Sequence, residues 1–272
     1  MRCGGQGAGS TECGAWPHWD HTSLRHRRVD HAGGEALRGR SAALLMVFFD
    51  VGDTLVERSA DPTLQLIDLW RDLDLGGTPA EMASALEAMG HAYAAGCYAP
   101  ATATGERSLW RALATAALSR TSSGPTEARV RALSDGCAGY ARWYRPVPET
   151  TRVLQALRQA GRPVGIISNW PPSLEAFLQD LGLGRFEVLA CSGPLRCAKP
   201  DPGIFHWALS VAGIAASEAW YVGNDPVCDL APARALGMEA VLWDPAKRYA
   251  EGVGAVGTEA ELRTALGLPP TV

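Results

Sequence analysis

The sequence lacks a strong charge of one sign and has no long apolar segment. Its 272 residues carry a formal net charge of −4, so the overall electrostatics give no indication of a nucleic-acid partner. No apolar run reaches the roughly 18–20 residues that a membrane-spanning helix needs, and no membrane partner is predicted. The hydrophobic content of 47% is enough for a sizeable core, most simply one domain with a smaller insert.

Paired cysteines are also missing, as is a recognisable targeting segment. The seven cysteines are scattered, odd in number and form no C-x-x-C pair. This pattern predicts neither a disulfide framework nor a zinc site; free thiols in a reducing cytosol fit it better, so the predicted location is cytoplasmic. Residues 1–45 show no helical or strand period and are predicted to be a disordered tail. Met46 sits directly before the core of the first predicted strand, and we expect the biological translation start to lie there.

Five short apolar runs predict buried strands. They span residues 45–49, 163–168, 186–190, 220–223 and 239–243. Amphipathic helical patterns separate the last four runs, and this alternation favours a parallel sheet with helices on both faces. The predicted fold class is therefore α/β, with a three-layer Rossmann-like core. Ligands in such sheets bind at the carboxyl ends of the strands, where the chemistry is expected.

A long stretch between the first two predicted strands has no strand signal. It is rich in Ala and Leu and contains several helical patterns, and it is too long to be an ordinary loop. We expect an all-helical cap over the strand ends. The predicted domains are a tail at 1–45, a core at 46–60 and 146–272, and the cap at 61–145. No pattern indicates an oligomeric state.

Polar residues follow four of the predicted strands. They comprise a carboxylate, a hydroxyl–amide pair, a lysine and an acidic cluster. The residues are Asp50; Ser168 and Asn169; Lys199; and Asn224, Asp225 and Asp229. Each feature alone is typical of a turn or a helix cap. Four of them in this order, each after a strand, favour one shared site.

The residue types predict the chemistry of that site. A carboxylate at the tip of a buried strand, Asp50, can attack an electrophile and form a covalent aspartyl intermediate. Further acids nearby require a cation, and hard oxygen ligands suit Mg²⁺. Lys199 can neutralise the nucleophile and a phosphate, while Ser168 and Asn169 can donate to oxygens that gain charge. We therefore predict phosphoryl or carbon transfer with little acid–base machinery.

Four segments in this order resemble the motifs of the haloacid dehalogenase (HAD) superfamily. They are FFDVGDTLV, GIISN, AKPDPGIF and YVGNDPVCDLAPARALGM. The resemblance covers about residues 46–266 and includes a helical insert similar to the C1 cap of subfamily I. It implies a Mg²⁺-dependent phosphatase acting on a small phosphorylated metabolite. It also implies Asp50 as nucleophile, Ser168 as phosphate-binding hydroxyl and Lys199 as the neutralising lysine.

Two departures from the family pattern affect the predicted roles. Phosphatases of this family usually carry an acid/base Asp two residues after the nucleophile, but this chain has Gly52 there and Asp53 one residue later. In the fourth motif the usual Gly-Asp pair is Gly223-Asn224, with Asp225 displaced by one. Asp53 is thus a candidate catalytic residue that could replace the missing acid.

The resemblance implies a metal site and leaves alternatives to the phosphatase open. The candidate Mg²⁺ ligands are Asp50, the carbonyl of Gly52, Asn224, Asp225 and Asp229. Candidate pocket residues are Thr54 and Trp170. One alternative is a degenerate member that binds a phosphorylated ligand or a protein partner without turnover. The other is a 2-haloacid dehalogenase, which needs neither the acid nor the metal.

Overall fold

The structure, a computed structural model, describes residues 46–96, 100–249 and 255–270. The predicted tail, residues 1–45, lies outside the described residues. Within the described segments the strands are β1 (Met46–Phe49), β2 (Val56–Arg58), β3 (Tyr144–Pro146), β4 (Val164–Ser168), β5 (Val188–Cys191), β6 (Ala219–Gly223), β7 (Glu239–Trp243) and β8 (Ala255–Val256). The helices are α1 (Pro62–Asp72), α2 (Pro79–Gly96), α3 (Ala103–Leu118), α4 (Glu127–Ala138), α5 (Pro148–Gln159), α6 (Leu174–Asp180), α7 (Ser192–Leu195), α8 (Pro202–Ala212), α9 (Ala231–Ala235) and α10 (Glu259–Ala265).

Six strands form one parallel sheet in the order β5–β4–β1–β6–β7–β8. Helices flank this sheet, so the predicted α/β Rossmann-like fold class is confirmed. All five predicted strands are present. The sequence did not predict β2, β3 and β8, because strands of two or three residues are too short to show an alternating pattern.

The core forms on both faces of β1, whose four residues are all buried. Phe48 belongs to a cluster with Phe205 of α8 and Tyr221 of β6. Because side chains alternate along a strand, the fully buried Val47 and Phe49 face the opposite side. On the sheet, α8 contacts β4 and β5, α9 contacts β7, and α5 and α10 contact each other. This packing holds β1, and the residue that follows it, in the centre of the sheet.

Four helices, α1 to α4, lie between β2 and β3, and we call them the inserted helices. The chain leaves the core along β2 and returns to it along β3. These two strands pair antiparallel, with Val56 opposite Pro146. Asp61, Thr102 and Thr126 are the N-cap residues that precede α1, α3 and α4, and each side chain accepts at least one hydrogen bond from a backbone N–H group of the first turn. Such caps satisfy donors that have no partner within the helix, which explains where the helices start.

No helix in the described part of the chain is long and apolar enough to cross a membrane.

Candidate active site

The candidate site lies at the carboxyl ends of the three central strands. Asp50 directly follows β1, and its backbone N–H donates to Val222 O of β6 at 2.9 Å. Ser168 ends β4, which pairs with β1 on the other side. The hydroxyl of Ser168 donates to Asp50 Oδ1 at 2.8 Å. The sheet therefore brings Asp50 and Ser168 together, as the motif order predicts.

Lys199 occupies the centre of the site. The residue is 6% exposed. Its ammonium group donates to Asp50 Oδ1 at 2.7 Å, to Asp229 Oδ1 at 2.5 Å and to the Tyr221 hydroxyl at 2.9 Å. An ammonium has three donors, so these three bonds use its full capacity. Lys199 thus bridges two buried carboxylates.

The charges in this cluster follow from its burial. Burial alone would lower the pKa of Lys199, but the carboxylates of Asp229 and Asp50 outweigh it and the pKa is raised, so the ammonium stays charged. Burial raises the pKa of Asp229, with Lys199 acting in the opposite direction and Asp50 adding to the rise. Burial also raises the pKa of Tyr221 well above 10.0, which keeps its hydroxyl neutral.

Asp229 is held on its other side by the backbone of the fourth motif. Its Oδ2 accepts from the backbone N–H groups of Asn224 and Asp225, each at 3.0 Å. A Cβ at Gly223 would lie only 2.5 Å from Asp229 Cγ and Oδ2, so this close packing requires glycine at position 223. Both oxygens of Asp229 are therefore occupied by protein donors. The sequence predicted Asp229 as a metal ligand, but the structure places it against the loop that carries Asn224.

Two further predicted residues make contacts that differ from the expected ones. The Asn169 side chain donates to Lys199 O at 2.9 Å and accepts from Lys199 N at 2.7 Å. It therefore positions the lysine segment, whereas we expected it to donate to reacting oxygens. Asp225 Oδ1 caps the following helical turn by accepting from Val227 N and Cys228 N. This capping explains an acid at position 225 without a metal.

The turn after β1 places the remaining first-motif residues. Asp53 is exposed, adopts the left-handed conformation with φ 55° and donates its backbone N–H to Val56 O. Thr54 is fully buried, and its Oγ1 has no hydrogen-bond partner in the described residues. Thr54 consequently lies behind the pocket surface, where we had expected it to line the pocket. A Cβ built at Gly52 would be 3.8 Å from the Trp170 ring, so Trp170 lies beside the site.

Four residues of the site region were not identified from the sequence. Tyr221 had the pattern of a buried strand residue, and no sequence signal points to its contact with Lys199. Glu106, Tyr140 and Ser173 form a partly buried polar cluster next to Trp170. They come from separate parts of the chain, so only tertiary packing brings them together.

The site contains oxygen donors of the kind that Mg²⁺ requires. The part of the chain that the structure describes contains no group of three or more His, Cys, Asp and Glu side chains placed to hold a metal ion. Asp50 supplies a carboxylate at this edge of the sheet, and the Gly52 carbonyl accepts no hydrogen bond from the described residues. Together with the Asn224 amide these are hard oxygen donors of the kind Mg²⁺ prefers. They fit a site with one carboxylate ligand and two neutral ones.

Two cysteines of the described residues, Cys137 and Cys191, are free thiols, which agrees with the expectation of free thiols.

Comparison with known proteins defines the class. A family model described as haloacid dehalogenase-like hydrolase matches residues 45–237. The chain belongs to this family, which confirms the superfamily that the four motifs predict.

Individual relatives are similar over part or most of the chain. A phosphoserine phosphatase of Thermus thermophilus is 34% identical over 118 residues, which are 43% of this chain and 47% of that enzyme. The match thus spans less than half of the relative. A HAD hydrolase of Bacillus subtilis bound to magnesium has a TM-score of 0.60, 16% identity and coverage of 83% of this chain and 100% of its own. A 2-haloacid dehalogenase of Pseudomonas syringae has a TM-score of 0.58, 23% identity and coverage of 82% and 98%. At these identities the two structures show the fold alone.

Proposed function

We propose that the protein is a phosphatase that hydrolyses a small phosphorylated metabolite through an aspartyl-phosphate intermediate on Asp50. The observation that carries the proposal is the environment of this carboxylate. Asp50 is 7% exposed at a strand end, and Ser168 and Lys199 both bind Oδ1. Because the described residues place no donor on Oδ2, this oxygen is the one available as a nucleophile. The partial match to a phosphoserine phosphatase supports the same reaction class.

The proposed reaction has two displacements at phosphorus. Asp50 Oδ2 attacks the phosphorus atom, the bond to the substrate oxygen breaks, and the leaving group takes up a proton from solvent. Water then attacks the phosphorus of the aspartyl phosphate, and the carboxylate of Asp50 and inorganic phosphate are released. Lys199 stays charged and offsets negative charge in both steps. The Ser168 hydroxyl can turn from Asp50 to a phosphate oxygen.

The first motif limits the substrates that react quickly. Position 52 carries no side-chain acid, and a missing general acid removes about 10²–10⁴ in rate for poor leaving groups. The exposed Asp53 makes no side-chain hydrogen bond to another described residue of the site. We therefore propose that acyl or aryl phosphates, whose leaving groups need little protonation, are hydrolysed faster than alkyl phosphates.

We also propose Mg²⁺ as cofactor, held by Asp50, the Gly52 carbonyl and Asn224. When bound, the ion supplies positive charge that offsets the phosphate of the substrate. Asp229 accepts hydrogen bonds from the backbone of Asn224 and Asp225. In this proposal it positions Asn224 and is not itself a metal ligand. With one carboxylate ligand, the affinity for Mg²⁺ is expected to be lower than in a site with three.

The inserted helices are proposed to be a cap that selects the substrate. In this proposal residues 61–145 form the cap, and 46–60 with 146–272 form the catalytic core. The support is the position of the insert directly after the β2 strand that follows Asp50, together with the contact of Tyr140 with Trp170 beside Gly52.

A Mg²⁺-dependent screen tests the proposed function. Purified protein is assayed with p-nitrophenyl phosphate, acetyl phosphate and sugar phosphates, with and without Mg²⁺, and the Asp50→Asn variant is the blank. We expect turnover of the first two substrates that requires both Mg²⁺ and Asp50. No turnover of any substrate by folded protein would reject the proposal and favour a degenerate binding protein.

A second candidate is displacement of halide from a 2-haloacid. The specific observation is that the ammonium of Lys199 forms ion pairs with both Asp50 and Asp229, so a protein cation lies beside the nucleophile without a metal. Release of halide from 2-chloropropionate in the presence of a chelator, lost in Asp50→Asn, would establish this activity.

A further inference from the structure

A chain of hydrogen bonds runs from the inserted helices to the active-site loop. The carboxylate of Glu106 in α3 accepts from Ser173 N at 2.9 Å and from Ser173 Oγ at 2.7 Å. The Tyr140 hydroxyl lies 2.6 Å from Ser173 Oγ. The indole N–H of Trp170 donates to the Tyr140 hydroxyl at 3.0 Å. We call these four residues the Glu106 chain.

The donors and acceptors allow one direction of the Glu106 chain. Each hydroxyl has a single proton, and the indole nitrogen can only donate. Ser173 donates its proton to Glu106, so Tyr140 donates to Ser173 and accepts from Trp170. Every proton then has one acceptor, and the chain ends on the carboxylate. Burial raises the pKa of Tyr140, which keeps its hydroxyl protonated for this purpose.

The far end of the Glu106 chain lies beside Gly52 of the first motif. Trp170 directly follows Ser168 and Asn169, and its ring is 3.8 Å from the Cβ position of residue 52. Its backbone N–H donates to Ser192 Oγ at 3.0 Å, and its carbonyl accepts from Gly193 N at 3.1 Å. The backbone of Trp170 is therefore fixed by Ser192 and Gly193, which follow β5. The polar edge of the indole ring is fixed by the Glu106 chain.

We propose that Glu106 is a positioning residue that sets the orientation of the Trp170 ring as a wall of the substrate pocket. It acts through Ser173 and Tyr140, and it makes this wall depend on the position of the inserted helices. The main-chain oxygen of Pro100, which precedes α3, lies 2.7 Å from the Cβ position of Gly193. This second close approach places the inserted helices against the same loop. The kinetic part of the inference rests on the proposed phosphatase function.

The proposed positioning of Trp170 can be tested by a measurement that does not depend on enzymatic activity. The indole ¹H–¹⁵N signal of Trp170 is identified as the one missing in Trp170→Phe. In Glu106→Ala we expect this signal to shift and its hydrogen exchange to accelerate at least tenfold, because a partly buried hydrogen-bond chain has lost its terminal acceptor. Glu87→Ala removes an exposed carboxylate of the inserted helices and should leave the signal unchanged. An unchanged Trp170 signal in Glu106→Ala would overturn the inference.

Glu106→Gln covers the case in which the alanine variant does not fold. An amide at this position donates to Ser173 Oγ and leaves one proton of the chain without an acceptor, since the four groups then offer one donor too many. The Trp170 signal should therefore shift in this variant too, although side-chain shape is kept. A signal identical to that of the parent protein would contradict the proposed proton order.

The kinetic part uses p-nitrophenyl phosphate with Mg²⁺. We expect KM to rise about tenfold in Glu106→Ala, equal to the loss of one pocket contact, with kcat within about threefold. Trp170→Phe keeps a ring but has no N–H and should reproduce this change, and the double variant should add nothing further. Additive effects in the double variant would show that Glu106 does not act through Trp170. If no variant or parent turns over substrate, the proposed function fails, and the Trp170 signal still decides the positioning role.

Discussion

At the scale of single residues, Lys199 shows how far the sequence leads. The sequence predicts a lysine that neutralises the nucleophile, and the structure places its ammonium on Asp50 as expected. The structure adds that the same group holds Asp229 and Tyr221. This contact depends on how β6 packs beside β1 and on how the following loop turns back. No local pattern encodes it, because Tyr221 resembles any buried strand residue in the sequence.

Replacing Lys199 tests the balance of buried charge. Lys199→Met leaves Asp50 and Asp229 without their counter-charge, and breaking a buried pair in this way costs about 3–5 kcal/mol of unfolding free energy. Urea unfolding measures this loss. The double variant Lys199→Met/Asp229→Asn also removes one of the two carboxylates that Lys199→Met leaves unpaired. It should recover part of the stability without recovering activity. A stability of Lys199→Met equal to that of the parent would show that the cluster is not ionised as described.

Gly52 is the residue where an added acid should increase the rate. A Cβ at position 52 meets the Trp170 ring at 3.8 Å, an ordinary contact, so a side chain fits there. Gly52→Asp should raise kcat on alkyl phosphates at least tenfold, because it supplies the missing general acid. Gly52→Asn is the control of equal size without the acid and should show no gain.

Asp53 has a separate test at the same turn. Asn tolerates the left-handed backbone of this position about as well as Asp, so Asp53→Asn changes the charge alone. We expect kcat on aryl phosphates to stay within about threefold, since an exposed carboxylate is not needed for a good leaving group. A loss of a hundredfold would make Asp53 the general acid.

At the scale of elements, the sequence predicts the helices and strands that are long enough to show a hydrophobic periodicity. Five sheet strands, the four inserted helices and the core helices α5, α6 and α8 follow from apolar patterning. The pair β2–β3 was missed, although it is where the inserted helices join the core. The close approach of Asp229 to Gly223 was missed too, since a glycine after a strand also suits an ordinary turn. Such contacts depend on distances between elements and not on the elements themselves.

A glycine in β4 controls how closely β1 and β4 can pack. Gly165 pairs with Phe48 across the sheet, and a Cβ there would lie 2.7 Å from the Phe48 ring and 2.8 Å from Met46 Cε. Gly165→Ala should therefore lower the unfolding free energy by about 1–3 kcal/mol through overpacking. Gly90→Ala in α2 is the matched control, since nothing lies within 4 Å of its Cβ position. It should raise stability by about 0.5–1 kcal/mol. Equal effects of the two changes in chemical denaturation would contradict this packing.

At the scale of the whole molecule, the sequence indicates a helical insert but not its contacts with the core. The insert follows from a long segment with no strand signal. Its connection to the active-site loop through Glu106 and Ser173 could not be predicted, because the two residues are 67 positions apart. In the sequence, Glu106 and Ser173 each resemble an ordinary polar residue of a helix or a loop. The dependence of the pocket on the insert is therefore a property of the assembled fold.

Two buried thiols predict how the stability of the whole molecule depends on pH. Burial raises the pKa of Cys137 in α4 and of Cys191 in β5 from 9.0 to about 12. Between these values the unfolded chain loses protons that the native protein keeps, so stability falls as pH rises. Each thiol contributes about 1.4 kcal/mol per pH unit in this window. The slope between pH 9 and 11 in urea unfolding should be shallower in Cys137→Ala and Cys191→Ala. A slope equal to that of the parent would mean that the thiols ionise in the native state.

The unequal hydrogen bonding of the two Asp50 oxygens has an isotopic consequence. Ser168 and Lys199 bind Oδ1, so Oδ2 forms the covalent bond in either proposed reaction. In a single turnover in ¹⁸O-labelled water, attack on phosphorus places the label in inorganic phosphate and leaves Asp50 unlabelled. Hydrolysis of a carbon ester of Asp50, as in halide displacement, transfers the label to the carboxylate. Mass spectrometry of the peptide that contains Asp50 therefore separates phosphoryl transfer from carbon transfer in one measurement.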